Sequence, residues 1–214
     1  MSGRIILIRH GESEWNEAGL FAGITDIALT SKGEDEARQT AELLCEHDVT
    51  VDTAFSSRLV RAARTLEIIG QKVPIQQKHY HAELRERDYA QFTGMNKAGV
   101  KAIHGDRAYK TLRRGWDTRV GDAETGKEVY DRTMSWFEAH ALPLLREGQT
   151  VLVVSHHNPL RSLTAHLQGN TPEELAEIEL GTAEAHVHKI DFSESRLSRE
   201  VIKLGGNAKY GKRA

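Results

Sequence analysis

Two short stretches carry residue types that could do chemistry together. Arg4 to Asn16 reads RIILIRHGESEWN, and Thr150 to Arg161 reads TVLVVSHHNPLR. In each, an apolar, β-branched run stops at a histidine: Ile5 to Ile8 leads into Arg9, His10 and Gly11, and Thr150 to Val154 leads into Ser155, His156, His157 and Asn158. Runs of this kind predict strands buried on both faces. In open α/β sheets, ligands bind beyond the carboxyl ends of the strands. If the two strands are neighbours, His10 and His156 face one crevice. Arg9 and the free N–H groups of the following turns would make that crevice attractive to anions. A metal site is the weaker reading. No cysteine or carboxylate stands at ligand spacing from both histidines, and the adjacent His156 and His157 cannot readily share one tetrahedral ion. The coincidence of two strands marks a site without naming a reaction.

The frame that must hold these residues is legible from periodicity. Thr30 or Ser31 can cap a helix through about His47, with Ala37, Ala41, Leu44 and Cys45 at helical spacing. Cys45 at such a position is expected in the core. Asp52 to Ser56 reads as a strand, Arg58 to Ile69 as a helix ended by Gly70, and Pro74 to Gln76 as a short strand. Short helices are expected near Lys97–His104 and Ala108–Arg114, a long one over Glu128–Leu145, and another over Asn158–Gln168. Glu184 to Ile190 alternates like a late strand. There His186 and His188 share a face, expected to be solvated, and are assigned no role. Strands alternating with helices predict an α/β fold: a three-layer sandwich with a mostly parallel central sheet flanked by helices. Residues 1–204 are expected to form one domain, and 205–214 (GGNAKYGKRA) a basic, flexible tail.

Composition narrows the class. The 214 residues are 39% hydrophobic and 28% charged with a formal net charge of −2, so no global field favours nucleic acid or an anionic membrane. The single cysteine excludes an internal disulfide, no apolar run reaches the ~18 residues that span a bilayer, and MSGRIIL lacks a signal-peptide layout. The expectation is a soluble cytoplasmic protein.

Further segments point to a family. Arg9-His10-Gly11-Glu12-Ser13-Glu14-Trp15-Asn16 resembles the signature of the histidine phosphatase superfamily and, within it, of the cofactor-dependent phosphoglycerate mutases. Phe21-Ala22-Gly23 with Asp26 and Leu29-Thr30, SSRLVRAART from Ser56, ELRERDYAQFTGMNK from Glu83, LRRGWD from Leu112 and SHHNPLR from Ser155 resemble that family's successive motifs. They occur in order over residues 4 to about 168.

The resemblance implies interconversion of 3-phosphoglycerate and 2-phosphoglycerate, a step of glycolysis and gluconeogenesis. Transfer would run through a phosphohistidine, primed by 2,3-bisphosphoglycerate, without a metal. It implies that His10 is the nucleophile, its attacking nitrogen freed by a hydrogen bond from the other ring nitrogen to a backbone carbonyl. Arg9, Arg61 and His156, the last able to act protonated, would cradle the phosphoryl oxygens, and Gly11 would give them room. Glu86 would be the general acid and base, with burial raising its pKa and arginines lowering it. Substrate-binding positions implied are Arg9, His10, Gly11, Glu12, Ser13, Glu14, Trp15, Asn16, Ala22, Gly23, Arg61, Glu86, Arg87, Asp88, Tyr89, Lys97, Arg113, Arg114, His157 and Asn158. Four arginines (9, 61, 113, 114) and Lys97 complement a bisphosphate bearing about five negative charges.

The chain departs from the family pattern at Ala22 (commonly threonine), Asp88 (histidine), Ala90 (glycine), His157 (glycine) and Pro159 (serine). The insertion that longer mutases carry is reduced to Thr118–Ala123. These departures leave open a phosphatase acting on other phosphorylated small molecules. The intact set Arg9, His10, Arg61, Glu86 and His156 argues against a catalytically silent domain. The partner expected is a small phosphorylated acid, with no nucleic acid or membrane; the oligomeric state, monomer or homo-oligomer, is left open, and the tail is a candidate lid.

Overall fold

The two histidine-bearing runs are neighbours. β1 (Ser2–Arg9) and β4 (Thr150–Ser155) pair in parallel, with Ile5 opposite Val151 and Arg9 opposite Ser155. In the computed structural model, which describes residues 2–192 and 201–204, they form the centre of a six-stranded sheet. Beyond β4 lie β2 (Val51–Ser56) and β3 (Ile75–Tyr80), all parallel. Beyond β1 lie β5 (Ala185–Asp191) and β6 (Val201–Leu204), each antiparallel to its inner neighbour.

The alternation of β1 and β4 side chains sends apolar groups to both faces. Ile5, Leu7, Val151 and Val153 join Trp136, Phe137, Leu145, Leu160 and Leu163. Ile6, Ile8, Leu152 and Val154 join Ala41, Leu44, Ala62 and Leu66. All eight strand residues are fully buried, and burying each such side chain is worth about 1.5–3 kcal/mol. The layers follow. α1 (Glu14–Glu17) is a single turn in the loop after β1. α2 (Ser31–Glu46) and α3 (Val60–Ile69) cover one face. α4 (Lys97–Arg114) belongs to a separate cluster of Phe21, Tyr89, Phe92, Val100 and Leu112. α5 (Gly126–Trp136), α6 (Leu142–Arg146) and α7 (His157–Gln168) cover the other face, and α8 (Pro172–Glu177) follows.

Helix ends are set by local chemistry. Thr30 Oγ1 accepts from Gly33 N and starts α2. α3 has no side-chain cap of its own, and Asp26 Oδ1 instead accepts from Val60 N at 2.6 Å. α4 is two helical segments, as expected, because Gly105 adopts φ 78° and ψ 165° between them. The expected 128–145 helix begins earlier, where Thr125 and Glu128 form a capping box. It is also interrupted by a π turn at Phe137–Ala141. Pro143, just beyond, has no N–H to donate four residues back, and the turn before it widens.

Two expectations fail. The buried stripe of α2 is Gly33, Ala37, Thr40, Ala41 and Leu44. Cys45 lies about 100° further round the helix, exposed, with Sγ 3.3 Å from Lys72 O. His186 and His188 are buried, not solvated, because their face is that of Ile5 and Leu7, which α6 and α7 cover, and β6 extends the sheet beyond β5. His186 Nε2 lies 2.9 Å from Glu184 Oε1, whereas neither ring nitrogen of His188 has a partner, and burial pushes its pKa down to about 4. No described helix is long and apolar enough to cross a membrane. The 205–214 tail lies outside the described residues.

Candidate active site

The parallel ladder carries past the strand ends, as His10 N donates to Ser155 O at 3.0 Å. The His10 and His156 rings are buried in one crevice, centroids 5.0 Å apart and tilted by 58°. His10 Nδ1 is 2.7 Å from Gly11 O. A carbonyl only accepts, so Nδ1 holds the proton and Nε2 keeps its lone pair. Gly11 is demanded by close approach to α2. A Cβ there would sit 2.2 Å from Gly33 O, and one on Gly33 would sit 2.0 Å from Glu12 O. The space at Gly11 is thus filled by backbone.

Arg9 Nη1 donates to Leu180 O at 2.9 Å; Arg61 donates to Thr25 O and Gly23 O, each at 2.8 Å. These bonds aim the guanidinium groups but leave both Nε atoms buried without partners. His156 Nδ1 is equally orphaned, while its Nε2 is 2.7 Å from Ser57 Oγ. Three unpaired buried nitrogens around His10 are a cost that a tetrahedral oxyanion would relieve. Burial lowers the pKa of both arginines, Arg61 to about 10, so both stay charged at neutral pH. Burial, then the charge of Arg61, holds His10 and His156 well below the histidine range. Both imidazoles are therefore neutral in this state. In the ligand-free site His156 is thus neutral rather than an imidazolium.

Glu86 caps α7. Its carboxylate accepts from Arg87 N (2.7 Å), His157 N (3.1 Å), Asn158 N (3.3 Å) and Asn158 Nδ2 (2.9 Å). Burial pushes its pKa up, but these bonds and the positive charge around it prevail, and the carboxyl lies below its usual range. Its loop is pinned by Ser155 Oγ on Leu84 O and by Arg132, which donates to the carbonyls of Glu83, Arg85 and Glu86 and pairs with Glu124. Tyr89 receives Asn158 Nδ2 at 3.2 Å and packs on Phe21, ring centroids 4.8 Å apart. Ala90 has φ 46°, the left-handed region where the family commonly has glycine.

Other predicted positions divide. Lys97 lies 5.9 Å from the Phe21 ring, and its pKa falls to about 8 through burial and then the charges of Arg113 and Arg9. Arg113 lies over the Tyr109 ring. Lys97 and Arg113 thus lie on adjoining rings, the Phe21 and Tyr109 centroids being 6.2 Å apart, and both charges are felt with that of Arg9. Arg114 does not join them: it donates to Ala176 O at 2.6 Å and pairs with Glu179. His157 Nε2 lies 3.2 Å from the same Glu179, outside hydrogen-bond geometry. Arg87 donates to Glu124 O, and Asp88 receives Ala90 N. Glu12 is committed to Lys32 and Thr30, and Ser13 and Asn16 cap α1 with each other. Glu14 is exposed; Trp15 borders Gly94, and Ala22 is half-buried beside Gly23. Ser57, Glu124, Arg132 and Glu179 were not foreseen. Ser57 lies inside the SSRLVRAART segment without a role assigned to it, and no short motif marks the other three, because each acts on a partner far away in the chain. Among the described residues, no group of three or more histidine, cysteine or acidic side chains is placed to hold a metal ion.

Comparison with known proteins follows the same lines. The histidine phosphatase superfamily (branch 1) matches residues 5–203. The 2,3-bisphosphoglycerate-dependent phosphoglycerate mutase of Rhizobium rhizogenes (strain K84) is 35% identical over 204 residues, covering 94% of this chain and 97% of that protein. The protein of the same description from Xanthobacter autotrophicus is 38% identical over 196 residues, covering 89% and 93%. Among solved structures, the alpha-ribazole phosphatase of Shigella flexneri superposes with a TM-score of 0.77 at 23% identity, covering 97% and 100%. That last likeness concerns the fold alone.

Proposed function

This chain belongs to the histidine phosphatase superfamily, and we propose that it interconverts 3-phosphoglycerate and 2-phosphoglycerate by ping-pong transfer through phospho-His10, primed by 2,3-bisphosphoglycerate. The observation that carries this reading is that Lys97 and Arg113 lie on the adjoining rings of Phe21 and Tyr109, close enough for their charges to act on each other and on Arg9. Such a shelf suits the second anionic group of a phosphorylated acid. The inner donors suit a phosphoryl group, since Arg9 Nε, Arg61 Nε and His156 Nδ1 are buried and unpaired.

In this reading His10 Nε2 forms a bond to phosphorus while the ester P–O bond breaks. Glu86 delivers a proton to the leaving oxygen. The carboxyl is ionised in the ligand-free site, and a bound phosphoryl dianion raises its proton affinity, so it takes up that proton on binding. In the return step Glu86 removes a proton from the acceptor hydroxyl as oxygen displaces His10 Nε2. The arginines neutralise charge that builds on the equatorial oxygens. The test is to mix protein with 2,3-bisphosphoglycerate, locate phosphate on His10 by mass spectrometry, and follow the acid that receives it. No isomerisation of either acid would exclude the mutase.

One observation favours a second reading, a phosphatase for other phosphorylated small molecules: Glu179 engages Arg114, which the resemblance assigns to the substrate. Phosphate release measured against isomerisation in one assay separates the two.

A further inference from the structure

Glu179 is a carboxylate that the phosphoryl chemistry leaves unused. It lies between α8 and β5 with its side chain 47% exposed. Its Oε1 takes Arg114 Nη2 and, at 3.2 Å, Arg161 Nη2; its Oε2 is 3.2 Å from His157 Nε2. Leu180, the next residue, gives its carbonyl to Arg9, and Glu179 stands close enough to act on the Arg9 charge. Burial would raise the pKa of Glu179, but His157 and then Arg161 and Arg114 hold it at about 2, so the carboxylate is ionised at any working pH.

An anion with one phosphoryl group can be satisfied by the inner donors alone. A second anionic group must lie further out, by Lys97 and Arg113, and there it feels Glu179 as well, a fixed negative charge that acts on the neighbouring Arg9. That charge also occupies Arg114, the guanidinium adjacent in the chain to Arg113. We propose that Glu179 is a specificity-determining residue: it occupies Arg114 and places negative charge at the rim of the pocket, which disfavours ligands with a second anionic group. Specificity of this kind works through the repulsive element rather than a new attraction. The inference rests on the reading that the pocket around His10 takes phosphorylated small acids.

The experiment reads binding without turnover, in a His10→Ala background, by titration calorimetry with 2,3-bisphosphoglycerate and with inorganic phosphate. Adding Glu179→Gln should tighten bisphosphate binding at least about threefold, the scale of one partly exposed charge pair. Inorganic phosphate affinity should change by less than about twofold, and adding Arg114→Ala should erase the bisphosphate gain. The proposal is overturned if the bisphosphate does not bind, binds no tighter, gains no more than inorganic phosphate, or keeps its gain without Arg114. Glu179→Asn, read the same way, replaces Glu179→Gln should the latter melt early. A native enzyme that binds as described but never isomerises would remove the mutase reading and leave this one intact.

Discussion

At the scale of single residues, the site is a set of charges whose balance has measurable consequences. Lys97 is a cation below about pH 8 and loses its charge above it. The kcat/KM for a phosphorylated acid should therefore fall as pH rises through about 8, and Lys97→Arg should carry that limb to higher pH; a limb that stays put belongs to another group. His10 is neutral because burial and Arg61 hold its pKa well below 6.5, so no acid limb centred on the ordinary histidine value is expected in the same profile. Glu86→Gln keeps an acceptor for the α7 amides but cannot shuttle a proton. It should lower kcat by about 10²–10⁴-fold, with a smaller change in KM, measured by isomerisation or phosphate release. His10, Arg9 and Glu86 could be named from their motifs. The roles of Ser57, although it lies in the SSRLVRAART segment, and of Glu179 could not, since they rest on a contact with His156 and on the pairing with Arg114, each across a long stretch of chain.

At the scale of elements, the position of His10 depends on how α2 meets the end of β1. Gly11 and Gly33 approach so closely that neither position accepts a Cβ. Gly33→Ala should push the Glu12 carbonyl aside, cost about 1–3 kcal/mol, and lower turnover by shifting His10; urea midpoints and kcat on one preparation check both. Ala90 shows the opposite case. Its φ of 46° burdens a side chain that glycine would omit, so Ala90→Gly should stabilise the protein by about 1 kcal/mol, seen as a raised urea midpoint with unchanged slope. Buried strands and amphipathic helices were legible because their periodicity is local. The π turn before Pro143 and the exposure of Cys45 were not, because helical phase at the end of an element is set by what it packs against.

At the scale of the whole molecule, the sheet hides histidines that would rather titrate in water. His188 is buried with both ring nitrogens unpaired, and its pKa is about 4 against an ordinary 6.5. The unfolded chain binds the extra proton between those values. Stability should therefore fall as pH drops from 6.5 towards 4, by about 3 kcal/mol for this residue. Urea midpoints at pH 7.5 and 4.5 should lie closer together in His188→Leu than in the native protein. Part of the loss will remain, because His10, His156 and His157 are depressed in the same direction.

The sequence by itself determined the class of fold and the identity of the central residues. Apolar runs bury themselves wherever they fall in the chain, and Arg9, His10, Glu86 and His156 sit in short local patterns. Only the tertiary structure decided which arginines face the pocket, whether Glu86 is ionised, and that His186 and His188 lie inside. Those outcomes depend on distances between side chains far apart in sequence and on the water they exclude, and no local pattern encodes either.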